Sequence, residues 1–406
     1  MSGAFTNSDE SNNHEDVDYS DTSAKRATAY GRIKRRTAIE SSLTFVVFIV
    51  LFAIYAVWLG DKFLHVDARM LDVHQSVSVI LLGLAALVTL TGGLFDLSIA
   101  SVASLSVYLT VGLTIRDGWP FPLVLLVVLG VGVVVGLVNG FLVETLGVNT
   151  FIATLGTGSV VLGLSSVYSG GSVISTGDDD LPGWFHSFGQ FGQKPPLWVV
   201  ILALLVLLAA GFVALGRLQP KSISYRAWSG VRLSIALIVG LALLTAGRSV
   251  LDGLPWTVLV MLIAAGVVWL LMDRTTFGRN LRAVGSNREA ARLAGVPVSR
   301  EIIKGFVLGG VLSALAGVVL AANQGSASPS AAGAFLLPAF AAAFLSTVVF
   351  STGRFTVLGT VIGGTFVVWT SIGLVIGGVS QTWTNVINGI VLIVAVALST
   401  YARRQA

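Results

Sequence analysis

Side chains that could do chemistry are few in this sequence and lie far apart. The four histidines (14, 65, 74 and 186) do not have metal-ligand spacing, and His14-Glu15 lacks the second histidine of an H-E-x-x-H zinc motif. No G-x-S-x-G nucleophile elbow occurs. The dipeptide Gly-Lys is also absent, so the chain has no P-loop for ATP phosphates. These observations favour transport or binding over catalysis, and we expect no metal and no cofactor on this chain.

The remaining polar candidates are single residues at the edges of apolar runs. Asp96 follows two glycines and opens the run LSIASVASLSVYL, so it either caps a half-helix or serves a transport path. Asn323 and Gln324 end one apolar run, and Tyr168 ends another. Amides and an aromatic ring suit a small polar ligand. We therefore list these four residues as possible translocation-path residues, with packing as the alternative role. Glu144 ends a further run and is expected at the membrane interface.

Composition indicates that these residues belong to a membrane protein. The 406 residues are 54% hydrophobic and 11% charged, with a mean hydropathy of +0.87, whereas soluble chains carry about 25% charged residues. Apolar runs of a length that crosses a bilayer as a helix recur from residue 42 onward. The 46 glycines suit helices that approach closely in lipid, and the absence of cysteine excludes disulfides. We predict an all-α, polytopic membrane helical bundle.

The first 40 residues are expected to form a separate region. Acidic residues cluster between positions 9 and 21, and six bases follow between 25 and 36. Low hydrophobicity and blocks of charge predict a disordered cytoplasmic tail over residues 1–40. The first apolar run begins near Ser42, too late for a cleaved signal peptide. Residues 41–402 are predicted to form the transmembrane domain.

The transmembrane domain contains twelve candidate helices. The joints GGLFD (92–96) and STGR (351–354) are so short that broken or re-entrant helices are expected there, which makes the count ten to twelve. The predicted helices span residues 42–60, 74–92, 97–115, 121–142, 150–168, 196–215, 231–248, 255–272, 303–322, 334–351, 355–377 and 384–401.

The basic residues predict the orientation of this layout. With the N-terminus in the cytoplasm, twenty of the 25 lysines and arginines fall on the inner side, which agrees with the positive-inside rule. Both termini are then cytoplasmic. The longest outer loop, residues 169–195, contains the triplet Asp178, Asp179 and Asp180, which either binds a cation or is simply solvated.

The stretch GSNREAARLAGVP (285–297) has the pattern of a short, capped helix. It lies in a loop, residues 273–304, that holds six arginines, and burying these would cost more than about 15 kcal/mol. Ser286 and Glu289 fit the S-x-x-E capping box. Gly295 suits the left-handed position after the helix, and Pro297 prevents its continuation. We predict a helix of about two turns over residues 287–294.

This short helix needs a surface to pack on, because two turns are not stable alone in water. Ala290, Leu293 and Ala294 form a small apolar face, while Arg288 and Arg292 lie one turn apart on another face. The apolar face either packs beneath its own bundle or inserts into a separate protein. Physical reasoning alone leaves both interpretations open.

A family resemblance decides between them. The pattern E-A-A-x-x-x-G at Glu289–Gly295 resembles the EAA loop of ABC-importer permeases. Stretches resembling ribose, galactose and xylose permeases follow in the same order along most of residues 75–401. They are TGGLFDLSIAS (91–101), TFIATLGTGSVVLGLSSVYSGG (150–171), TTFGRNLRAVGSNREAARLAGVPVSR (275–300), LSALAGVVLAANQGSASPSAAG (312–333) and GRFTVLGTVIGG (353–364).

The resemblance implies a function and a set of partners. In this family the EAA helix docks on a separate ATP-hydrolysing subunit, which binds ATP and magnesium. The chain would be a non-enzymatic permease subunit that imports a monosaccharide across the bacterial inner membrane. A second permease copy, an extracytoplasmic sugar-binding protein and membrane lipid are the other expected partners, and nucleic acid is not one. The implied coupling residues are Ser286, Arg288, Glu289, Ala290, Ala291, Arg292, Leu293 and Gly295.

The middle of the chain suggests which sugar. Many members of the family have one span before the T-x-F-G-R stretch, whereas three are predicted here, at 196–215, 231–248 and 255–272. That insertion resembles xylose-type permeases, so a pentose such as xylose is the first expectation. The sequence departs from the family at Val148–Thr150, where proline is usual, and at FLSTVVFSTG (344–353), where glycine is commoner.

Rival functions lack support in the sequence. An ion-coupled secondary transporter of a small polar solute is the main alternative, but it would use midplane carboxylates, and only Asp96 is placed to be one. A membrane-embedded enzyme would need an acid, base or metal constellation that is not apparent. A scaffold or receptor would have little use for broken helices and 46 glycines.

Overall fold

The computed structural model describes residues 49–50, 52–175, 182–216, 253–349 and 354–405. Three predictions concern residues outside these ranges: the N-terminal tail (1–40), the span 231–248 and the triplet Asp178–Asp180. The fold is therefore built below from the described residues alone.

The described chain is almost entirely helical, as the apolar runs predict. Its helices are α1 (52–59), α2 (Asp61–Leu64), α3 (Val66–Thr91), α4 (Ile99–Ile115), α5 (Phe121–Glu144), α6 (Thr150–Ser169), α7 (Gly183–Gly189), α8 (Leu197–Gly216), α9 (Trp256–Trp269), α10 (Thr276–Ser286), α11 (Arg288–Leu293), α12 (Val298–Gln324), α13 (Leu336–Val349), α14 (Val357–Ile376) and α15 (Thr384–Gln405). A π-turn, Leu270–Arg274, extends α9, and 3₁₀ turns lie at Gly333–Phe335 and Gln381–Trp383.

Six helical stretches in the described residues are long and apolar enough to cross a membrane. Large apolar side chains such as Leu126 and Val160 point outward from the bundle, as expected where lipid replaces water. The prediction of an all-α polytopic membrane bundle is thus confirmed. The six stretches are Ala68–Thr91, Phe121–Glu144, Thr150–Ser169, Trp256–Arg274, Val298–Gln324 and Val357–Ile376, and shorter apolar helices are Ile99–Ile115, Gly333–Val348 and Thr384–Thr400.

The centre of the bundle is α3, whose membrane window is 89% buried. It packs against α12, α13 and α14. Glycines permit the closest helix contact, between α5 and α12, because Gly132 and Gly136 face the backbone of α12 near Gly310 with no room for a side chain. Small residues at such crossings let helix backbones pack by van der Waals contact in lipid.

The two ends of the bundle are distinguished by their connections. We call the end that carries α10 and α11 the basic end, because the segment from Asp273 to Lys304 holds seven lysines and arginines. The opposite end carries α7 and a two-stranded antiparallel ladder. In that ladder β1 (Ile174–Ser175) pairs with β2 (Ser326–Ala327), which ties the end of α6 to the end of α12.

The short joint predicted between the second and third spans is a turn between two separate helices. Helix α3 ends at Thr91 and α4 begins at Ile99, with Gly93 in the left-handed region (φ +80°) between them. Near the second predicted joint, α13 ends at Val349 and α14 begins at Val357.

Candidate functional site

The short helix predicted from the EAA-like stretch is α11, and its cap differs from the prediction. Ser286 is not the cap, because α10 continues through it, so the predicted Ser286–Glu289 capping box is wrong. Asn287 is the cap instead, and its side chain accepts a 2.9 Å hydrogen bond from the backbone N–H of Ala290. Asparagine and serine are about equally good N-cap residues. Because α10 extends through Ser286, the N-cap of α11 is Asn287.

The end of α11 agrees with the prediction. Gly295 adopts φ +80°, the left-handed conformation that glycine enters without steric cost. Its N–H bonds to the carbonyl of Arg292, and the N–H of Val296 bonds to that of Ala291. This is a Schellman ending, which satisfies carbonyls left open by the last turn. The chain then passes Pro297 and enters α12.

The apolar face of α11 points away from the bundle. Leu293 is 81% exposed, and Ala290 and Ala294 are exposed beside it. Ala291, on the other side of the helix, is only 5% exposed. Within the described part of the chain, the interpretation that this apolar face packs beneath its own bundle is therefore wrong.

Ala291 anchors α11 in a small hydrophobic cluster, here called the basic-end cluster. The cluster joins α11 to α5, α6, α10 and α12, and Leu94 from the turn between α3 and α4 packs against it. Its buried members are Val143, Ala153, Val284, Ala291, Val298, Ile302 and Phe306. The outward face of α11 is thus mounted on a packed base that reaches the core helices.

Charged pairs add to this anchorage. Arg288 donates to Glu144 at the end of α5 across 2.7 Å, and the Glu144 side chain is completely buried. Arg288 therefore contacts the bundle itself. Arg292 and Glu289, in contrast, lie 3.9 Å apart on the exposed side. In the adjoining α10, Asn280 contacts the buried Glu301 of α12 at 3.4 Å.

Helix α10 packs directly on the turn between α3 and α4. The side chain of Leu281 lies against Gly92, and the backbone of Gly285 lies against that of Thr91 and Gly93. Side chains at Gly92 or Gly285 would collide across this contact. The basic loop and this turn are therefore one packed unit.

Asp96 orders the entry to α4. Its Oδ1 accepts hydrogen bonds from the backbone N–H of Ser98 at 2.9 Å and from the Ser98 hydroxyl at 2.6 Å. The side-chain amide of Asn139 donates to Ser98 Oγ, and the hydroxyl of Thr157 donates to Asn139 Oδ1. Asp96, Ser98 and Asn139 are buried. This network links the starts of α4 and α6 to α5. The N-cap of α4 is Ser98 and has no side-chain cap hydrogen bond, so Asp96 orders the turn before the helix and does not cap it.

Tyr168 lies at the opposite end, where its polar and aromatic parts both have partners. Its hydroxyl donates to Asp117 at 2.8 Å, and the Arg116 guanidinium lies 4.6 Å from its ring centroid. The ring also covers Gly112 of α4. These contacts fasten the end of α6 to the end of α4.

Asn323 and Gln324 line a cavity of about 310 Å³ at the opposite end. His74, Gln75 and Gln190 line it too, together with the ring of Phe191. His74 Nδ1 lies 2.6 Å from the hydroxyl of Thr257 in α9. The cavity wall combines side-chain amides with an imidazole and an aromatic ring, and it contains no carboxylate, lysine or arginine among the described residues.

The structure brings only some of the predicted path residues together. Asn323 and Gln324 share the cavity, whereas Tyr168 is not one of its lining residues and Asp96 lies at the basic end. Sequence reasoning missed His74, Gln75, Gln190 and Phe191. The only available signal was their polar or aromatic character beside apolar runs, since α3, the segment after α7 and α12 meet only in the folded chain.

Comparison with known proteins assigns this chain to a family. A family model described as branched-chain amino acid transport system / permease component matches residues 73–396. The galactose/methyl galactoside import permease of Escherichia coli is 30% identical over 288 residues, which are 70% of this chain and 69% of the relative. No solved structure matches the chain.

Two further relatives cover more of the chain. The fructose import permease of Rhizobium meliloti is 29% identical over 90% of this chain and 87% of its own length. The xylose transport system permease of Escherichia coli is 28% identical over 90% of this chain and 94% of its own length. The relatives share sugar transport but differ in the sugar.

Proposed function

Because this chain belongs to the family of branched-chain amino acid transport system / permease components, we propose that it is the permease subunit of an ATP-driven monosaccharide importer. A separate chain would bind ATP and magnesium. The family and the sugar-permease relatives support a transport role. The direction of transport, the sugar and the partners are part of the proposal.

The observation that carries the proposal is the outward face of α11. Leu293 stands 81% exposed on a helix whose other side is buried through Ala291 and tied to α5 through Arg288. An apolar helix face of this kind suits a hydrophobic groove on a partner. We assign that groove to the ATPase, with Ala290, Leu293 and Arg292 at the contact.

The orientation follows from the same assignment. The ATPase works in the cytoplasm, so the basic end would face inward, in agreement with the distribution of lysine and arginine. An extracytoplasmic sugar-binding protein would then deliver its ligand at the opposite end. Two copies of this chain, embedded in lipid of the bacterial inner membrane, would form the complete permease.

The cavity at the opposite end is the proposed point of sugar entry. Neutral amides from Gln75, Gln190 and Gln324 and the ring of Phe191 suit an uncharged, hydroxylated ligand. Asn323 contributes another amide at the wall. We take a pentose such as xylose as the first candidate on the basis of the predicted insertion of two spans, while the matches to the xylose and fructose permeases both extend over 90% of this chain.

The ion-coupled alternative is not favoured. It relied on Asp96 as a titrating carboxylate, but Asp96 accepts two hydrogen bonds from Ser98 at the start of α4. A structural role accounts for this side chain.

Affinity purification from the native membrane tests the proposal. The wild-type chain should co-elute with a stoichiometric partner that carries a Walker A motif, identified by mass spectrometry. Leu293→Asp should remove this partner, because it places a charge in an apolar groove, while Leu146→Asp, at an exposed leucine on the same end but outside α11, should retain it. A wild-type chain without any ATPase in several mild detergents would refute the proposal.

A further inference from the structure

Helix α9 ends at the basic end in a π-turn that brings a charged side chain over an aromatic ring. The turn spans Leu270–Arg274, and the Arg274 guanidinium lies 4.9 Å from the centroid of the Trp269 ring. In a regular α-helix, positions five residues apart differ by about 140° around the axis. The wider π-turn, with hydrogen bonds between residues five apart, instead lets Trp269 and Arg274 meet on one face. We call this pair the tryptophan–arginine site.

Contacts with α10 hold the π-turn in place. Gly278 lies so close to the backbone of Met272 that no side chain would fit between them. Met272 itself is buried, and Asp273 pairs with Arg282 of α10. The backbone that carries Arg274 is therefore fixed by packing on both sides of the turn.

Arg274 has no carboxylate partner among the described residues. Its side chain is half-buried, and its Nε is buried without a hydrogen-bond partner in the described chain. The three carboxylates of the segment 273–304 each lie beside another base instead. These pairs are Asp273–Arg282, Glu289–Arg292 and Glu301–Lys304. Because a partly desolvated cation is costly without a counter-charge, the site favours an anion from outside the chain.

The depth of the site in the membrane indicates which anion it meets. Trp269 and Arg274 stand at the end of the apolar stretch Trp256–Arg274, one of the candidate membrane spans. Tryptophan and arginine at the end of a span lie at the level of the lipid headgroups. Further into the span, Ile263 and Val267 of the same helix are exposed on the described bundle. A phospholipid has a phosphate for the cation and acyl chains for this apolar surface, whereas free phosphate suits only the cation.

We propose that the tryptophan–arginine site binds the phosphate of an anionic phospholipid in the leaflet at the basic end. The Arg274 guanidinium donates hydrogen bonds to the phosphate oxygens, whose geometry it matches, and the Trp269 ring holds the guanidinium on α9 by a cation–π contact. A zwitterionic headgroup is less suitable because its own cation competes with Arg274 for the phosphate. The proposal requires a chain that lies in a membrane, and it is independent of the sugar and of the ATPase.

Lipid titration followed by native mass spectrometry tests the site. The full chain, purified in detergent and stripped of lipid, is titrated with dioleoyl phosphatidylglycerol or with dioleoyl phosphatidylcholine, which has the same acyl chains. The wild type should bind its first phosphatidylglycerol about tenfold more tightly than phosphatidylcholine. Arg274→Gln should lower the affinity for phosphatidylglycerol about tenfold, because it removes charge-assisted hydrogen bonds. Trp269→Leu should lower it about threefold, because it removes the cation–π contact.

Arg300→Gln is the matched control. Arg300 is also an arginine of the basic end, exposed in the first turn of α12, so its substitution removes the same charge without changing the site. Its affinity for phosphatidylglycerol should equal that of the wild type. Equal losses in Arg274→Gln and Arg300→Gln would overturn the site, because binding would then follow total charge. Wild-type affinity in Arg274→Gln would overturn it as well.

Two further measurements distinguish the lipid from other anions. Inorganic phosphate in large molar excess should displace no more phosphatidylglycerol than sodium chloride of the same ionic strength; complete displacement by phosphate alone would assign the site to a free anion. A carboxylate of a partner protein is the other rival. Loss of a co-purified ATPase from Arg274→Gln with unchanged lipid affinity would assign Arg274 to that contact and overturn the lipid site.

Protein folding is kept separate by the second variant. If Arg274→Gln does not give monodisperse protein, Trp269→Leu decides by the same titration, since it leaves every charge in place. Reduced affinity for phosphatidylglycerol then supports the site, and wild-type affinity overturns it.

Discussion

At the scale of single residues, the pair Glu144–Arg288 shows how α11 is joined to the membrane helices. The carboxylate is buried at the end of α5, while the Arg288 side chain remains 53% exposed. Substituting Arg288 alone would leave the buried Glu144 carboxylate with one partner fewer. Substituting both residues with neutral ones would leave no buried charge without its partner. Breaking the pair by one substitution should therefore cost more stability than removing both charges.

This asymmetry gives a testable prediction. Arg288→Met should destabilise the purified complex by about 1–3 kcal/mol and lower ATP-driven uptake, because Glu144 is left unpaired. The double variant Arg288→Met with Glu144→Gln should recover most of the lost stability. The wild type, the single variants Arg288→Met and Glu144→Gln, and the double variant form a double-mutant cycle whose stabilities are measured by thermal unfolding. Strictly additive effects of the two substitutions would show that the ion pair does not hold α11.

Residue-level prediction from sequence succeeded where the pattern is local. Gly295 was identified from its place after a short helix, since the left-handed position favours glycine wherever the fold lies. The cap was placed one residue too early because Ser286 and Asn287 are both capping residues and the end of α10 decides between them. The contact between Glu144 and Arg288 joins positions 144 residues apart, and no local pattern reports it.

At the scale of elements, the apolar pattern of the sequence predicts where the helices lie better than it predicts where they end. The span predicted at 97–115 is found at Ile99–Ile115, and the span predicted at 355–377 at Val357–Ile376. The span predicted at 303–322 is found at Val298–Gln324. It begins earlier because its first turns, with Arg300 and Glu301, extend beyond the apolar run, and hydropathy does not report helix outside the membrane.

The crossing of α5 and α12 yields a second prediction. Gly136 faces the backbone of Phe306 and Val307, where an added Cβ would lie 2.5 Å from the Phe306 carbonyl oxygen. Gly136→Val should therefore push the helices apart and cost about 1–3 kcal/mol or more. The yield of monodisperse protein in detergent and its unfolding temperature measure this effect.

The same helix provides the control for that substitution. Gly130 has no atom within 4 Å of the position of an added Cβ, so Gly130→Val places the same side chain on the same helix without a collision. Its yield and unfolding temperature should remain close to those of the wild type. Equal behaviour of the two variants would show that the tight crossing does not hold the bundle together.

At the scale of the whole molecule, the connections between helices explain why two ends with different chemistry exist. The basic end gathers α10, α11 and the basic-end cluster, while the opposite end holds the strand ladder, Tyr168 and the amide-lined cavity. Counting spans predicts this division, because each crossing reverses the side. It does not predict which helices become neighbours, since in lipid the packing depends on shape instead of on apolar pattern.

The orientation of the molecule can be measured directly because the chain contains no cysteine. Ser175 in β1 and Ser299 in the first turn of α12 are both exposed and lie at opposite ends of the bundle, so Ser→Cys at each position introduces a single thiol with little change in size. In intact spheroplasts a membrane-impermeant maleimide should label Ser175→Cys. Ser299→Cys should react only after permeabilisation, because the positive-inside rule predicts a cytoplasmic location for the end that is rich in lysine and arginine. The reverse pattern would turn α11 away from the cytoplasmic ATP pool, and an ATPase could then no longer be its partner.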